Sequence, residues 1–383
     1  MGWLMLIALV TPLAMASLAD AQIAISANDN KVMLVNGAVQ VVKSPPADTI
    51  TIIDLNVSPP KVIAELEVPV SVVGPPFSVA ITPDEGLALV TANQKIDPAD
   101  PTKQVPDTRM SVVDLKSSPP KVIATLETGK APAGVSINRQ GNLALVANRA
   151  EGTVSVYTIQ GKSVTPAGKV TVGDEKAGTC HAAITPDGRT ALVTRDGDDR
   201  IAVLSIDGAK VEYTKRDLNA GLRPYGIDVA GNGTHAVVAN IGRGGGDNDT
   251  ISLIDLRAKP PRVVDTVTVG QTPEGIKLSP DGATVAVVMM NGSNKPKDSP
   301  FYNDNGKLVL FRVSGASLTK VAEAPIGHWS QGTAFSSDGR TILVGNMMEK
   351  DIQVFRWDGS ALKDMGTRIK VKGGSAALRT ADR

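Results

Sequence analysis

The chain has 383 residues, of which 40 are Lys or Arg and 39 are Asp or Glu, so its formal net charge is +1. This near balance gives no electrostatic reason to expect nucleic acid or an anionic membrane as a partner. The single cysteine, Cys180, excludes an internal disulfide framework and the paired-cysteine motifs of zinc, redox or haem sites.

The N-terminal segment, residues 1–21, is apolar and ends in Ala19-Asp20-Ala21. This small-x-small ending, together with the interruption of the apolar run by Thr11 and Pro12, favours a cleaved signal peptide over a membrane span. We therefore expect a periplasmic or secreted protein with one domain, residues 22–383, and no membrane span after cleavage.

Residues 32–41, near the start of that domain, place the apolar run Val32-Met33-Leu34-Val35 before Asn36-Gly37 and the run Ala38-Val39-Gln40-Val41 after it. An Asn-Gly pair between two such runs predicts a β-hairpin with a type I′ turn. The hairpin is either an arm that contacts a partner or a lid that packs on neighbouring loops.

A repeated unit organises the rest of the chain, and residues 269–288 are one copy of it. The copy has a Gly-x-x-Pro-x-Gly entry, a short apolar strand, a Pro-Asp-Gly turn and a second apolar strand. Two further alternating strands complete each repeat. The turn recurs at intervals of 45 to 57 residues, at Asp84, Gln140, Asp187, Asn232, Asp281 and Asp338.

A seventh copy is split between the two ends of the domain. Residues 373–382 match the entry and first strand, whereas residues 24–28 match the second strand. The prediction is an all-β, seven-bladed β-propeller of four-stranded blades, whose ring closes by pairing of the N- and C-terminal strands in one blade. A β-solenoid usually has shorter repeats, and a β-sandwich would not supply a split repeat.

The connections of a four-stranded meander sort onto two faces. The connections from strand 2 to strand 3, and from strand 4 to the next blade, lie on one face, here called the upper face; the Pro-Asp-Gly turns lie on the lower face. The loops between strands 2 and 3 are long in blades 1, 2, 5 and 6. Insertions concentrated on one face of a repeat fold indicate a binding face.

These insertions differ in character. Residues 95–108 form a Pro- and Asp-rich loop in blade 2, and residues 292–306 in blade 6 contain Phe301-Tyr302, which either contacts a ligand or anchors its own loop. The blade 5 loop contains Asp247 and Asp249, and is either a weak calcium site or a plain turn.

The entry motifs direct one side chain per blade toward the upper mouth of the channel. The residues at this position are Phe77, Ala133, Cys180, Tyr225, Glu274 and Gln331, with Arg223, His328 and Trp329 nearby. A mixed polar and aromatic ring at a funnel mouth is where a propeller ligand is expected.

His181 replaces a glycine of the entry motif in blade 4 alone. Its imidazole is a candidate general base, with Arg223 and Glu274 as electrophilic and acidic helpers; the alternative is a histidine packed in the channel. His181 and His328 belong to blades on opposite sides of the ring, so we predict no transition metal and no cofactor.

The repeats resemble those of YVTN-type seven-bladed propellers, on the evidence of Val90-Thr91-Ala92-Asn93, Val146-Ala147-Asn148 and Val238-Ala239-Asn240 at the ends of strand 2. This resemblance implies a secreted or periplasmic propeller without assigned chemistry. Residues 180–188, followed by Asp199-Arg200-Ile201, are similar to the His-containing blade of 6-phosphogluconolactonase-like propellers. Tyr225 and Gly226 stand where those enzymes have Arg-His.

Two classes of function therefore stay open. The first is an exported binding module that recognises a protein or small molecule through its upper-face loops, without chemistry of its own. The second is a lactonase-like hydrolase in which His181 is the general base at the funnel mouth.

Overall fold

The computed structural model describes residues 22–383, and the predicted signal peptide lies outside the described residues. This part of the chain forms seven four-stranded antiparallel sheets and two short hairpins. No helix in residues 22–383 has the length and apolar character needed to cross a membrane.

The strands follow one another from the channel outward in every blade. Blade 1 contains, from the channel outward, β32 (Gly374–Thr380), β1 (Ile23–Asp29), β4 (Thr49–Asp54) and β5 (Lys61–Glu67). Blade 2 contains β6 (Val79–Ile81), β7 (Leu87–Thr91), β10 (Arg109–Asp114) and β11 (Lys121–Glu127). Blade 3 contains β12 (Pro132–Ile137), β13 (Leu143–Asn148), β14 (Thr153–Gln160) and β15 (Ser163–Thr171). Blade 4 contains β16 (Thr179–Ile184), β17 (Thr190–Arg195), β18 (Arg200–Asp207) and β19 (Lys210–Leu218).

Blade 5 contains β20 (Pro224–Val229), β21 (His235–Asn240), β22 (Asp249–Asp255) and β23 (Arg262–Gly270). Blade 6 contains β24 (Pro273–Leu278), β25 (Thr284–Met289), β26 (Gly306–Ser314) and β27 (Ser317–Ile326). Blade 7 contains β28 (Ser330–Phe335), β29 (Thr341–Asn346), β30 (Asp351–Trp357) and β31 (Leu362–Lys370).

Blade 1 closes the ring as predicted. Strand β32 pairs antiparallel with β1, with Ala24 opposite Thr380 and Ser26 opposite Leu378. A hydrogen bond of 2.8 Å between the hydroxyls of Ser26 and Ser375 adds a polar contact to this pairing. The two ends of the domain are therefore held together in the innermost part of one sheet, and the predicted fold class is confirmed.

A buried asparagine at the end of the second strand forms the same hydrogen bonds in several blades. The Asn148 side-chain amide donates hydrogen bonds of 2.9 Å to both Thr153 and Ser155 on the third strand. Asn240 makes the equivalent pair of contacts, at 3.0 Å, with Thr250 and Ser252. The buried side-chain NH2 group of this asparagine is thus paired with the hydroxyls of the neighbouring strand, which explains why the residue recurs in the repeats.

The lower-face turns also follow from local chemistry. The hydroxyl of Thr185 donates to the Asp187 carboxylate at 2.6 Å, and Thr82 bonds Asp84 at the same distance. A Ser or Thr before Pro-Asp-Gly therefore closes the turn through the aspartate side chain, as turn residues of this type commonly do.

The insertion in blade 1 is the predicted hairpin, formed by β2 (Val32–Val35) and β3 (Ala38–Val41). Its turn residues Asn36 and Gly37 both have positive φ, at 46° and 76°, as a type I′ turn requires. Val32 packs in an apolar cluster with Trp329 and other residues of the upper face. The hairpin therefore packs on the ring as a lid.

The insertion in blade 2 forms a second hairpin, β8 (Gln94–Ile96) paired with β9 (Gln104–Pro106). In blades 5 and 6 the inserted loops contact each other. The Lys295 ammonium donates to the Gly244 carbonyl, and the ring of Phe301 lies against the backbone of Gly246, where a Cβ atom would lie 2.3 Å from the ring.

Candidate functional site

The side chain of Phe77 crosses the central channel and divides it. From blade 2 it reaches Gly226 in blade 5, where an added Cβ would lie 2.7 Å from the Phe77 ring. The ring stacks on His181 with 4.2 Å between centroids, and the Arg379 guanidinium lies 4.7 Å from its centre. Phe77 is 2% exposed. The channel consequently consists of an upper cavity and a lower cavity on opposite sides of this layer.

The upper cavity, of about 420 Å³, lies at the mouth formed by the blade entries. Asp196 is one of its lining residues, and the Asp196 Oδ2 accepts hydrogen bonds from Arg149 at 2.8 Å and from Arg223 at 2.6 Å. The other carboxylate oxygen, Oδ1, is buried and accepts no hydrogen bond within residues 22–383. Asp196 therefore holds two guanidinium groups side by side while retaining an unused acceptor.

Cys180 and Tyr225 contact the first of these arginines, Arg149. Arg149 donates to the Cys180 sulfur at 2.6 Å and lies 5.7 Å from the centre of the Tyr225 ring. Burial raises the pKa of the Cys180 thiol and of the Tyr225 hydroxyl. Both groups are therefore neutral near pH 7 and are not ionised nucleophiles.

Glu274, in the inner strand of blade 6, is a buried carboxyl group close enough to Arg223 and Arg149 for their charges to affect its pKa. Burial raises its pKa to about 8, opposed by the positive charges of Arg223 and Arg149, which lower it. A buried carboxyl group that titrates near neutral pH beside cationic groups is a candidate acid–base catalyst.

The lower cavity, of about 190 Å³, is lined by the ends of the inner strands and by the lower-face turns. The ammonium of Lys277 contacts the carboxylates of Asp228 at 3.0 Å and Asp382 at 2.7 Å. Asp382 also accepts a hydrogen bond of 2.7 Å from Arg379. This cavity therefore contains its own network of opposite charges.

His181 lies in the lower cavity, whereas the sequence pattern predicted it at the upper mouth. Its Nε2 is 3.0 Å from the Ser136 hydroxyl, and its ring occupies space that a Cβ on Gly134 would fill. Burial, followed by the positive charge of Arg379, lowers the pKa of His181 well below its usual value. The difference has a steric cause, because the Phe77 ring covers the imidazole and separates it from Arg223 and Glu274.

The remaining predicted ligand-binding residues lie at several places. Tyr225 lies beside Arg149, and Phe77 divides the channel. Gln331 is 1% exposed in the inner strand of blade 7. His328 pairs with Glu349 at 2.6 Å, and Trp329 is buried beneath the hairpin.

Phe301 packs across the blade 5 loop, and the backbone amide of its neighbour Tyr302 bonds Ser299 within the same loop. Both contacts fit residues that anchor the loop. A ligand role for the set stays a prediction.

The carboxylates of the blade 5 loop do not form a metal cluster. Asp249 accepts a hydrogen bond of 2.8 Å from the Thr272 backbone and thereby connects this loop to the entry of blade 6. Across residues 22–383, no group of three or more His, Cys, Asp or Glu side chains is arranged to hold a metal ion.

Sequence comparison assigns the family. The model of the family described as lactonase, 7-bladed beta-propeller, matches residues 70–378, which is most of the chain. The chain belongs to this lactonase family. The match supports the likeness to 6-phosphogluconolactonase-like propellers, and the YVTN-type name is not confirmed. A search of the curated proteins gave no match.

Solved structures similar to this member of the lactonase family share the fold at low identity. A candidate 6-phosphogluconolactonase of Bacteroides fragilis has 17% identity and a TM-score of 0.71, over 96% of this chain and 99% of that one. The periplasmic gluconolactonase of Pseudomonas aeruginosa has 18% identity and a TM-score of 0.65, over 94% and 99%. A protein of unknown function from Desulfotomaculum acetoxidans has 15% identity and a TM-score of 0.67, over 94% and 98%.

Several residues of the two cavities were not predicted from the sequence. Arg149 and Asp196 follow the ends of second strands, outside the entry motif on which the predicted site was based. Lys277 and Asp228 lie deeper in the inner strands, at positions filled by small residues in other blades, such as Ala80. Lys277 and Asp228 could have been found in the sequence by looking for charged residues at repeat positions that are uncharged in other blades.

Proposed function

We propose that the protein hydrolyses a small sugar lactone in the upper cavity. The observation that carries this proposal is the pair of guanidinium groups, Arg149 and Arg223, that Asp196 holds together in that cavity, with the buried carboxyl group of Glu274 near them. Membership of the lactonase family supports a hydrolase over a binding module without chemistry.

The reaction assigns a separate task to each charged group. The guanidinium groups of Arg149 and Arg223 receive the lactone carbonyl oxygen and stabilise the negative charge that develops on it. Ionised Glu274 removes a proton from a water molecule, whose oxygen attacks the carbonyl carbon. As the tetrahedral intermediate collapses, the ring C–O bond breaks and the ring oxygen takes the proton from Glu274. The product is an open-chain hydroxy acid.

Asp196 is a positioning residue in this mechanism. Its Oδ2 fixes both guanidinium groups, at 2.6 Å from Arg223 and 2.8 Å from Arg149, in the wall of the same cavity. Because the side chain of Asp196 is only 2% exposed, water competes weakly for these contacts.

The upper-face loops supply part of the cavity wall. Gln94 from the blade 2 insertion and Arg243 from the blade 5 insertion line the same cavity as Arg149 and Arg223. We assign to these loops the selection of the substrate. An exported location is part of the proposal, and the periplasmic gluconolactonase of P. aeruginosa is compatible with it.

The proposal is tested by assaying the hydrolysis of glucono-1,5-lactone, with the uncatalysed rate subtracted. We expect turnover by the wild-type protein and a loss of about 10²-fold to 10³-fold in kcat/KM for Arg223→Met, because the variant lacks one stabilising donor. Arg257→Met, at an arginine on the lower face that pairs with Asp255, serves as the control and retains full activity.

Two results would contradict the proposal. One is the absence of lactone turnover by folded wild-type protein with a panel of five- and six-membered aldonolactones. The other is an Arg223→Met variant as active as the control. Either result would favour the binding module instead.

A further inference from the structure

Arg379 occupies a position that is apolar in the other six blades. It stands two residues before the turn position that matches proline in the Pro-Asp-Gly motif, and the equivalent residues are Ile81, Ile137, Ile184, Val229, Leu278 and Phe335. The Arg379 side chain is 3% exposed. A buried guanidinium in place of an aliphatic side chain is costly unless its donors are used.

The donors of Arg379 are only partly used. Nη2 bonds the Asp382 carboxylate at 2.7 Å, and one face of the guanidinium is covered by the ring of Phe77. Nε and Nη1 are buried and donate no hydrogen bond to any part of the chain that the structure describes. Because Arg379 lines the lower cavity, these two donors identify a place where an acceptor would be stabilised.

Asp382 already presents one such acceptor from outside the sheet. It follows β32, and its carboxylate bridges Lys277 and Arg379, each at 2.7 Å. Its side chain is 40% exposed, whereas its two cationic partners are 10% and 3% exposed. The carboxylate of Asp382 is therefore accessible to solvent, whereas the two cationic side chains that it bridges are buried.

The charges around Asp382 indicate which kind of ligand could replace its carboxylate. Lys277 and Arg379 carry two positive charges, and Asp228 and Asp382 carry two negative charges. Among these four groups, withdrawal of Asp382 leaves one positive charge in excess, and Arg139 and Arg383 also line the cavity. The cavity volume of about 190 Å³ exceeds the 150 Å³ of an engineered cavity that accepts benzene.

We propose that the lower cavity is a second binding site, selective for a small monocarboxylate whose carboxylate takes the position of the Asp382 side chain between Lys277 and Arg379. The ligand would take over the Nη2 contact of Asp382 and add one of the two unused donors, Nε or Nη1. Each of these donors forms a parallel pair with Nη2, and an arginine binds a carboxylate best through two parallel donors. Asp382 then acts as a tethered competitor of the ligand. This proposal concerns a different cavity from the lactone site and does not depend on it.

The test is isothermal titration of the full chain with sodium propionate, at an ionic strength held constant with sodium chloride. We expect Asp382→Ala to bind propionate about tenfold more tightly than the wild type, because a tethered carboxylate competes at a high effective concentration. Introducing Arg379→Gln into the Asp382→Ala protein should abolish this gain.

Two further variants locate the effect. Asp364→Ala removes the aspartate of an exposed Asp–Arg pair on β31 and should bind propionate as the wild type does. Arg223→Met, introduced into Asp382→Ala, removes an upper-cavity arginine and should leave the tenfold gain intact.

Equal affinities of Asp382→Ala and the wild type for propionate would overturn the proposal, as would loss of the gain with Arg223→Met. If the Arg379→Gln variant does not fold, the comparison of Asp382→Ala with Asp364→Ala still decides the matter. Asp382 follows the last strand, so replacing it leaves all four strands of blade 1 in place.

Discussion

Glu274→Gln is expected to lower kcat/KM for glucono-1,5-lactone by about 10³-fold, a loss within the range measured for general bases. The amide keeps the size of the side chain and cannot accept the proton of the attacking water. Steady-state assays with the uncatalysed rate subtracted measure this loss.

The same variant should be more stable than the wild type in alkaline solution. Burial raises the pKa of Glu274 from 4.5 in the unfolded chain to about 8 in the folded protein, so the folded state holds the proton more tightly. The stability from this group is complete below pH 4.5 and is lost as the pH rises through about 8. The amide of the variant does not titrate, and thermal unfolding at about pH 9 should therefore show a higher Tm for the variant.

Glu323→Gln provides the matched control. Glu323 is 40% exposed on the outer strand β27, where it pairs with Lys320. Its replacement should change neither activity nor alkaline stability by a measurable amount. An active Glu274→Gln protein, or one whose Tm falls at alkaline pH, would contradict the role assigned to this carboxyl group.

Deletion of residues 373–383 is expected to prevent cooperative folding of the whole ring. The deletion removes β32, which forms the inner strand of blade 1, and exposes the edge of β1 at the channel. It also removes Ala377 and Leu378, which are buried in the cores on the two sides of blade 1. Thermal and urea unfolding should become non-cooperative, or the protein should be insoluble.

Replacement of residues 95–105 by two glycines is the control for this deletion. Gln94 and Pro106 are paired in register, so a two-residue turn can join them without removing a strand from any blade. This variant should unfold cooperatively. A 373–383 deletion that melts like the control would show that closure of the ring does not need β32.

The fold could be predicted because its determinants are local and repeated. The type I′ turn at Asn36-Gly37, the hydroxyl before each Pro-Asp-Gly turn and the asparagine at the end of strand 2 each act within a few residues or between adjacent strands. Seven copies of the same local pattern reinforce one another, and the split repeat specifies how the ring closes.

The site was predicted only in part because its contacts cross the channel. The prediction grouped His181 with Arg223 and Glu274, on adjacent or nearly adjacent blades. The position of His181 depends on the direction taken by Phe77 from a distant blade, which repeat spacing does not encode. Arg149 and Asp196 meet Arg223 through side-chain geometry across three blades, and this too depends on tertiary packing.

The pH dependence of kcat/KM for glucono-1,5-lactone tests the central claim most directly. With Glu274 as the base, kcat/KM should rise about tenfold per pH unit below the pKa and become constant above about pH 8. If His181 were the base, its lowered pKa would place the rise well below pH 6.5. A profile that is already flat from about pH 6 upward would contradict the assignment of lactone hydrolysis to the upper cavity and Glu274.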